Sequence, residues 1–272
     1  MPIDPQLQSR DIDIPSQPDA LVRLSLLMAE DQPNLAALAA LMEADMALAS
    51  AVLRAVNSPL YGLSGRAQSV QQAVTFLGMR EVAGITFEMG LRAVFPRASE
   101  LEPMWARAAA RGLIMGRLGQ ALGIDSWAAH SAGLFEECGK AVLFRHAPDR
   151  YRQILRAAKN DNALCELETS SFGVSHDALG AGLCESWGLN AAAVVSVRHH
   201  VAAQADHVLP QASSRRSILA LSVLSHVMMT APSMLDEVVG RIAPQAELDL
   251  SHVLRAARKV QQHFEAAAMH GR

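Results

Sequence analysis

Aromatic residues are scarce in this chain. Only 4% of its 272 residues are Phe, Trp or Tyr, although half are apolar. The core must therefore come from Ala, Leu, Val and Met, most of which favour helix. Cysteine is rarer still. Cys138, Cys165 and Cys184 are too few and too dispersed for a disulfide framework, and no C-x-x-C pair occurs, so the simple reading is a reducing cytoplasm. Neither sign of charge dominates. The net charge is −3, which gives no global attraction to nucleic acid or to an anionic membrane. The N-terminus lacks the basic-then-apolar order of a signal peptide. Residues 217–235 carry no formal charge and approach spanning length, but Ser222, Ser225, His226, Thr230 and Pro232 suit a core helix ended near Pro232, not a membrane span. There is no internal repeat and no low-complexity tract. P-loop, G-x-G-x-x-G, G-x-S-x-G and H-E-x-x-H motifs are all missing.

What is present is helical periodicity, and it predicts an all-α fold of two helical lobes. Residues 1–13 read as a loose lead-in, 14–100 as an N-terminal lobe and 101–272 as a second lobe with the C-terminal helices. The seam falls between Pro96 and Pro103. In the first lobe Leu21, Leu24, Leu27 and Met28 share one face, Asn34 and Asp45 are caps, and Ser69 with Gln72 fits a capping box that opens a helix stopping at Gly78. Between them Asn57-Ser58-Pro59 breaks a helix and Tyr61-Gly62 continue the loop. That loop reads either as a helix stop or as a partner-binding surface including Asn57, Ser58, Leu60, Tyr61 and Leu63. In the second lobe the periodicity predicts helices at about 104–122, 126–147, 149–160, 164–170, 176–187, 190–203, 213–230, 234–241 and 249–268.

Several motifs occur in a telling order. Asp45-Met46-Ala47-Leu48 is followed by a helix ending in Ala55-Val56-Asn57-Ser58-Pro59, then Tyr61-Gly62, then Ala73-Val74-Thr75-Phe76-Leu77-Gly78. Later come Trp105, Gly133-Leu134-Phe135-Glu136-Glu137-Cys138-Gly139-Lys140, Phe172-Gly173-Val174-Ser175-His176, Trp187-Gly188-Leu189 and His199-His200. Over roughly residues 14–230 the chain resembles the HDOD family, bacterial output modules related to HD-domain phosphohydrolases. The resemblance implies that the second lobe is a degenerate HD domain.

An active HD centre uses His, an adjacent His-Asp pair and a later Asp to hold divalent metal that activates water. By the resemblance, the first His position is Arg107, the His-Asp pair is Glu136-Glu137, and the helix holding Leu219 to His226 lacks the final Asp. A guanidinium beside a cation site is repulsive. The residues leave three readings open: an ion pair of Arg107 with Glu136 or Glu137, solvated glutamates, or a remodelled metal site. His176, His199 and His200 also stand at family positions. Adjacent side chains on a helix do not face one point, however, so a zinc cluster of these three is disfavoured and core or helix-start roles are expected. Cys138, beside Lys140, lacks an identifiable base and orienter for a thiolate nucleophile.

The expected function is a non-catalytic regulatory module that binds a signalling protein or a nucleotide-like small molecule, without cofactor, metal or membrane. Arg107, Glu136, Glu137, Lys140, His176, His199, His200, Asn57, Ser58 and Tyr61 are the candidate binding residues. The alternatives are a residual metal-dependent phosphohydrolase or phosphodiesterase and, third, a DNA-binding regulator. That third reading uses the helix-turn-helix outline of residues 73–91, whose second helix is not basic enough to favour it. The lead-in is too short to hold a domain, which favours a partner on a separate molecule.

Overall fold

The computed structural model describes residues 12–30, 34–58, 61, 67–211 and 215–270. Every regular element among them is helical. The described residues divide into two compact units, one lying within 17–94 and 261–272, the other within 1–16 and 95–260.

In the smaller unit, local signals set the helix boundaries. Helix α1 spans Asp19–Met28, α2 Leu35–Glu43, α3 Met46–Val56, α4 Val70–Leu77 and α5 Met79–Ala93. The Asn34 side chain accepts from the Ala36 amide at 2.8 Å, and Asp45 accepts from Ala47 and Leu48 at 2.9 and 3.0 Å. Each satisfies donors that the first helical turn leaves without intrahelical partners. Ser69 accepts from the Gln72 amide at 3.2 Å, while Gln72 reaches back to the Gln68 amide at 2.7 Å. Gly78 joins α4 to α5 at φ 85°, a conformation cheap only for glycine. Leu21, Leu24, Leu38, Met42, Val52, Val56, Ile85 and Leu91 are completely buried. Gly90 lets α5 meet α1 closely, since a Cβ there would lie 2.5 Å from the Leu21 side chain.

The larger unit holds α6 Glu102–Leu122, α7 Ser126–Phe135, α8 Cys138–His146, α9 Pro148–Ala157, α10 Asp161–Phe172, α11 His176–Ser186, α12 Ala191–Asp206, α13 Arg216–Thr230, α14 Leu235–Gln245 and the start of α15 Leu250–His270. Residues 217–230 are the core of α13, with Leu219 to Leu224 fully buried. No single helix among the described residues is long and apolar enough to cross a membrane.

One expected helix is overturned. The periodic stretch 126–147 is two helices broken at Glu136-Glu137. Two backbone contacts impose the break. A Cβ on Gly133 would sit 2.8 Å from the Gly112 backbone of α6, and one on Gly139 would sit 1.9 Å from the His176 carbonyl oxygen of α11. Helix α7 is thus pressed on α6 and α8 on α11, and the chain turns between the two. Glu, Cys and Lys all tolerate helix, so propensity carried no warning of a break that packing decides.

Candidate functional site

The turn between α7 and α8 places two adjacent carboxylates inside the larger unit. Glu136 and Glu137 have 0% and 2% of their side-chain surface exposed, so they are not solvated glutamates. Burying them demands compensation. Helix α6 supplies Arg107 and Arg111 one turn apart on one face. Arg107 donates from Nε to Glu137 Oε1 at 3.3 Å and from a terminal nitrogen to Oε2 at 3.1 Å. Arg111 donates to Glu137 Oε1 at 3.1 Å and lies 3.2 Å from Glu136 Oε2. Lys140 donates to Glu137 Oε2 at 3.1 Å and to Asp161 Oδ1, at the start of α10, at 2.9 Å. On the other side Gln204 of α12 donates to Glu136 Oε2, also at 2.9 Å, and contacts the Ser222 hydroxyl of α13. Three cations thus face three carboxylates.

Burial by itself would raise the Glu137 carboxyl. The charges of Lys140, Arg111 and Arg107 outweigh that and hold it well below the usual carboxylate range. For Asp161 the same contest between burial and Lys140 also ends in a lowered carboxyl. Lys140 and Arg111 are pulled towards neutrality by burial, but the carboxylates beside them win and strengthen their protonation.

Glu168 of α10 organises a second network. It accepts from the Tyr151 hydroxyl of α9 at 2.5 Å through Oε1. Its Oε2 accepts the His176 backbone amide at 2.7 Å and lies 2.7 Å from His176 Nδ1. The carboxylate therefore serves the buried His176 amide at the N-terminus of α11 from a neighbouring helix. His176 is fully buried, and its ring centre lies 5.6 Å from that of His200. His200 is held through Nδ1 by the Val197 carbonyl at 2.7 Å, and burial lowers its proton affinity. His199 is half-buried, and among the described residues the three imidazoles do not bring ligand atoms within 4.8 Å of one another.

Cys138 is fully buried with its thiol donating to the Leu134 carbonyl, and burial pushes its pKa well up. That environment removes the thiolate nucleophile considered from the sequence. In the smaller unit, the Asn57 amide donates to the carbonyls of Leu53 and Ala67 at 3.0 and 2.8 Å, while its oxygen accepts the Ala67 amide at 3.1 Å. Asn57 is thus spent closing the base of its loop. Ser58 and Tyr61 are partly buried, and Pro59, Leu60, Gly62 and Leu63 lie outside the described residues.

Arg111, Asp161, Gln204, Tyr151, Glu168 and Cys165 were not singled out from the sequence. Arg111 and Gln204 had a usable signal, since each stands one turn beyond a flagged residue, Arg107 and His200. The others are assembled only by the helix packing.

A two-unit helical protein with this order of motifs is of the HD-like class. The model of the HDOD domain matches residues 14–203, and the chain belongs to the HDOD family. A curated relative in Treponema pallidum (strain Nichols), an uncharacterized protein, is 25% identical over 264 residues. That match takes in 93% of this chain and 50% of the relative, so the chain spans about half the relative's length. An HDOD domain protein of unknown function from Geobacter sulfurreducens superposes with TM-score 0.70 at 17% identity, covering 96% of this chain and 95% of its own. A chain from Marinobacter aquaeolei VT8, provisionally called a signal transduction protein, gives 0.71 at 20% identity, over 96% of this chain and 60% of its own. One from Shewanella amazonensis SB2B, provisionally called a phosphohydrolase, gives 0.68 at 18%, over 96% of both. At these identities the likeness establishes the fold.

The HD class implies a metal centre, and the residues at its position do not fit one. Both oxygens of Glu137 are already engaged by Arg107, Arg111 and Lys140, and Glu136 is held through Oε2 by Arg111 and Gln204, which leaves its buried Oε1 without a hydrogen-bond partner. A dication would have to enter beside three fixed positive charges.

Proposed function

We propose that this protein is a non-catalytic signalling module that acts by binding a protein partner, with the former metal position converted into a structural ion-pair network. The observation that carries the reading is Glu137, buried and bonded at once to Arg107, Arg111 and Lys140. A carboxylate so occupied ties α6 to α8, Lys140 carries the link on to Asp161 of α10, and the unit no longer needs an ion to offset its buried acids. The provisional name of the Marinobacter neighbour agrees with a signalling role, and that of the Shewanella neighbour suggests the ancestry of the site.

The test is turnover by the purified full chain supplied in turn with Mg²⁺, Mn²⁺, Fe²⁺ and Zn²⁺. Phosphomonoesters, phosphodiesters and cyclic dinucleotides should all remain uncleaved. Metal-dependent hydrolysis that disappears in Glu137→Gln would overturn the reading and restore the phosphohydrolase.

A further inference from the structure

Beside the ion-pair network, three metal-ligating side chains converge that this network does not use. Cys165 and Glu168 stand one turn apart on α10, and His176 opens α11. One donor atom from each lies within 4.8 Å of the other two. Cys165 Sγ is 3.6 Å from His176 Nδ1, which is 2.7 Å from Glu168 Oε2. Tetrahedral zinc, with Zn–S near 2.3 Å and Zn–N and Zn–O near 2.0 Å, needs an S···N edge of roughly 3.6 Å and an N···O edge of roughly 3.3 Å. The first edge is already present. The second requires Nδ1 and Oε2 to part by about 0.6 Å as an ion replaces the proton between them.

We propose that Cys165, Glu168 and His176 form a zinc site through Sγ, Oε2 and Nδ1, with water in the fourth position. Sulfur, imidazole and carboxylate together suit zinc better than Mg²⁺ or Ca²⁺, which require oxygen. The carboxylate is already oriented by outer partners, the Tyr151 hydroxyl on Oε1 and the His176 amide on Oε2. The histidine is free to change tautomer, because its Nε2 is buried and has no hydrogen-bond partner. Metal at Nδ1 leaves the imidazole proton on Nε2 without breaking any bond there. The thiol proton goes to solvent, so one proton is released, and the dication with one thiolate and one carboxylate is neutral. A neutral assembly suits these buried surroundings. Without a cation, burial and the carboxylates of Asp177, Glu168 and Asp161 keep the Cys165 thiol strongly protonated. Once bound, the ion ties α10 to α11 across the turn at Gly173.

The site is tested with cobalt, which reports on coordination where zinc is silent. The full chain is stripped with a chelator and titrated with Co²⁺. One equivalent should bind, show thiolate-to-cobalt charge-transfer absorption in the near ultraviolet, and be displaced by one equivalent of Zn²⁺. Cys165→Ser should abolish the band while circular dichroism stays that of the parent. Glu168→Gln should weaken binding by about tenfold or more. A wild-type chain that binds no cobalt overturns the site, and so does cobalt bound without the band or a band that survives Cys165→Ser. None of these outcomes bears on the ion-pair reading, whose readout is turnover.

Discussion

Arg107 and Arg111 illustrate how much burial decides about two chemically identical groups. Both reach Glu137, but the Arg107 side chain is 46% exposed and that of Arg111 only 4%. Water and the remaining partners can replace most of what Arg107 contributes. Removing Arg111 leaves two buried carboxylates short of a cation. Arg107→Ala should therefore cost about 1 kcal/mol or less, and Arg111→Met about 3–5 kcal/mol, measured by denaturant unfolding of each variant. Equal losses would show that the network does not depend on the buried arginine. Glu88 on α5 is the opposite kind of buried acid. Burial raises its carboxyl from 4.5 to about 7, and Arg92 at 3.7 Å offsets only part of this. Its folded form prefers the proton, so stability is complete below pH 4.5 and falls as pH rises towards about 7. At ~1.4 kcal/mol per unit the loss approaches ~3 kcal/mol. Glu88→Gln should flatten that part of the stability-pH curve, and a slope unchanged in the variant would assign it to another group.

At the level of elements, glycines decide which helices touch. Gly139 meets the His176 backbone so closely that a Cβ would stand 1.9 Å from its carbonyl oxygen. Gly139→Ala must push α8 off α11, and the loss should reach about 3 kcal/mol or prevent folding, at the upper end of overpacking costs. Gly240 within α14 is the internal control, since a Cβ there meets nothing within 4 Å. Gly240→Ala should raise stability by about 0.5–1 kcal/mol through helix propensity and a less flexible unfolded chain. Thermal melts of the two variants should move in opposite directions. The contact at Gly139 matters beyond stability, because it sets the angle at which α8 leaves the Glu136-Glu137 turn.

Across the whole molecule, the two units carry opposite responses to pH. In residues 95–260, Glu137 and Asp161 are held below the usual carboxylate range by neighbouring cations, despite burial. Their contribution is present above the unfolded carboxyl range and lost as pH falls below about 4. In residues 17–94, Glu88 destabilises the fold as pH rises towards neutrality. Hydrogen exchange followed from pH 3.5 to 7.5 should show protection of α6 and α8 failing at the acid end and protection of α5 weakening at the neutral end. Added salt should change the Glu137 part of the first effect little, since Glu137, Arg111 and Lys140 are buried and poorly screened.

The sequence by itself determined the helical class, the family, the caps at Asn34, Asp45 and Ser69, and the replacement of HD ligand positions by Arg107 and Glu136-Glu137. All of these are local, because periodicity, capping and motif order operate over a few residues. Tertiary structure alone decided that the helix across 126–147 breaks at the two glutamates, that Arg111 and Lys140 join Arg107 in neutralising them, and that Cys165 and Glu168 meet His176. The first two depend on helices approaching at backbone contact, over Gly112 and Gly133 or over Gly139. Glycine in a helical pattern reads locally as a mild penalty, and only the neighbouring helix shows that the absent side chain is what lets the site assemble.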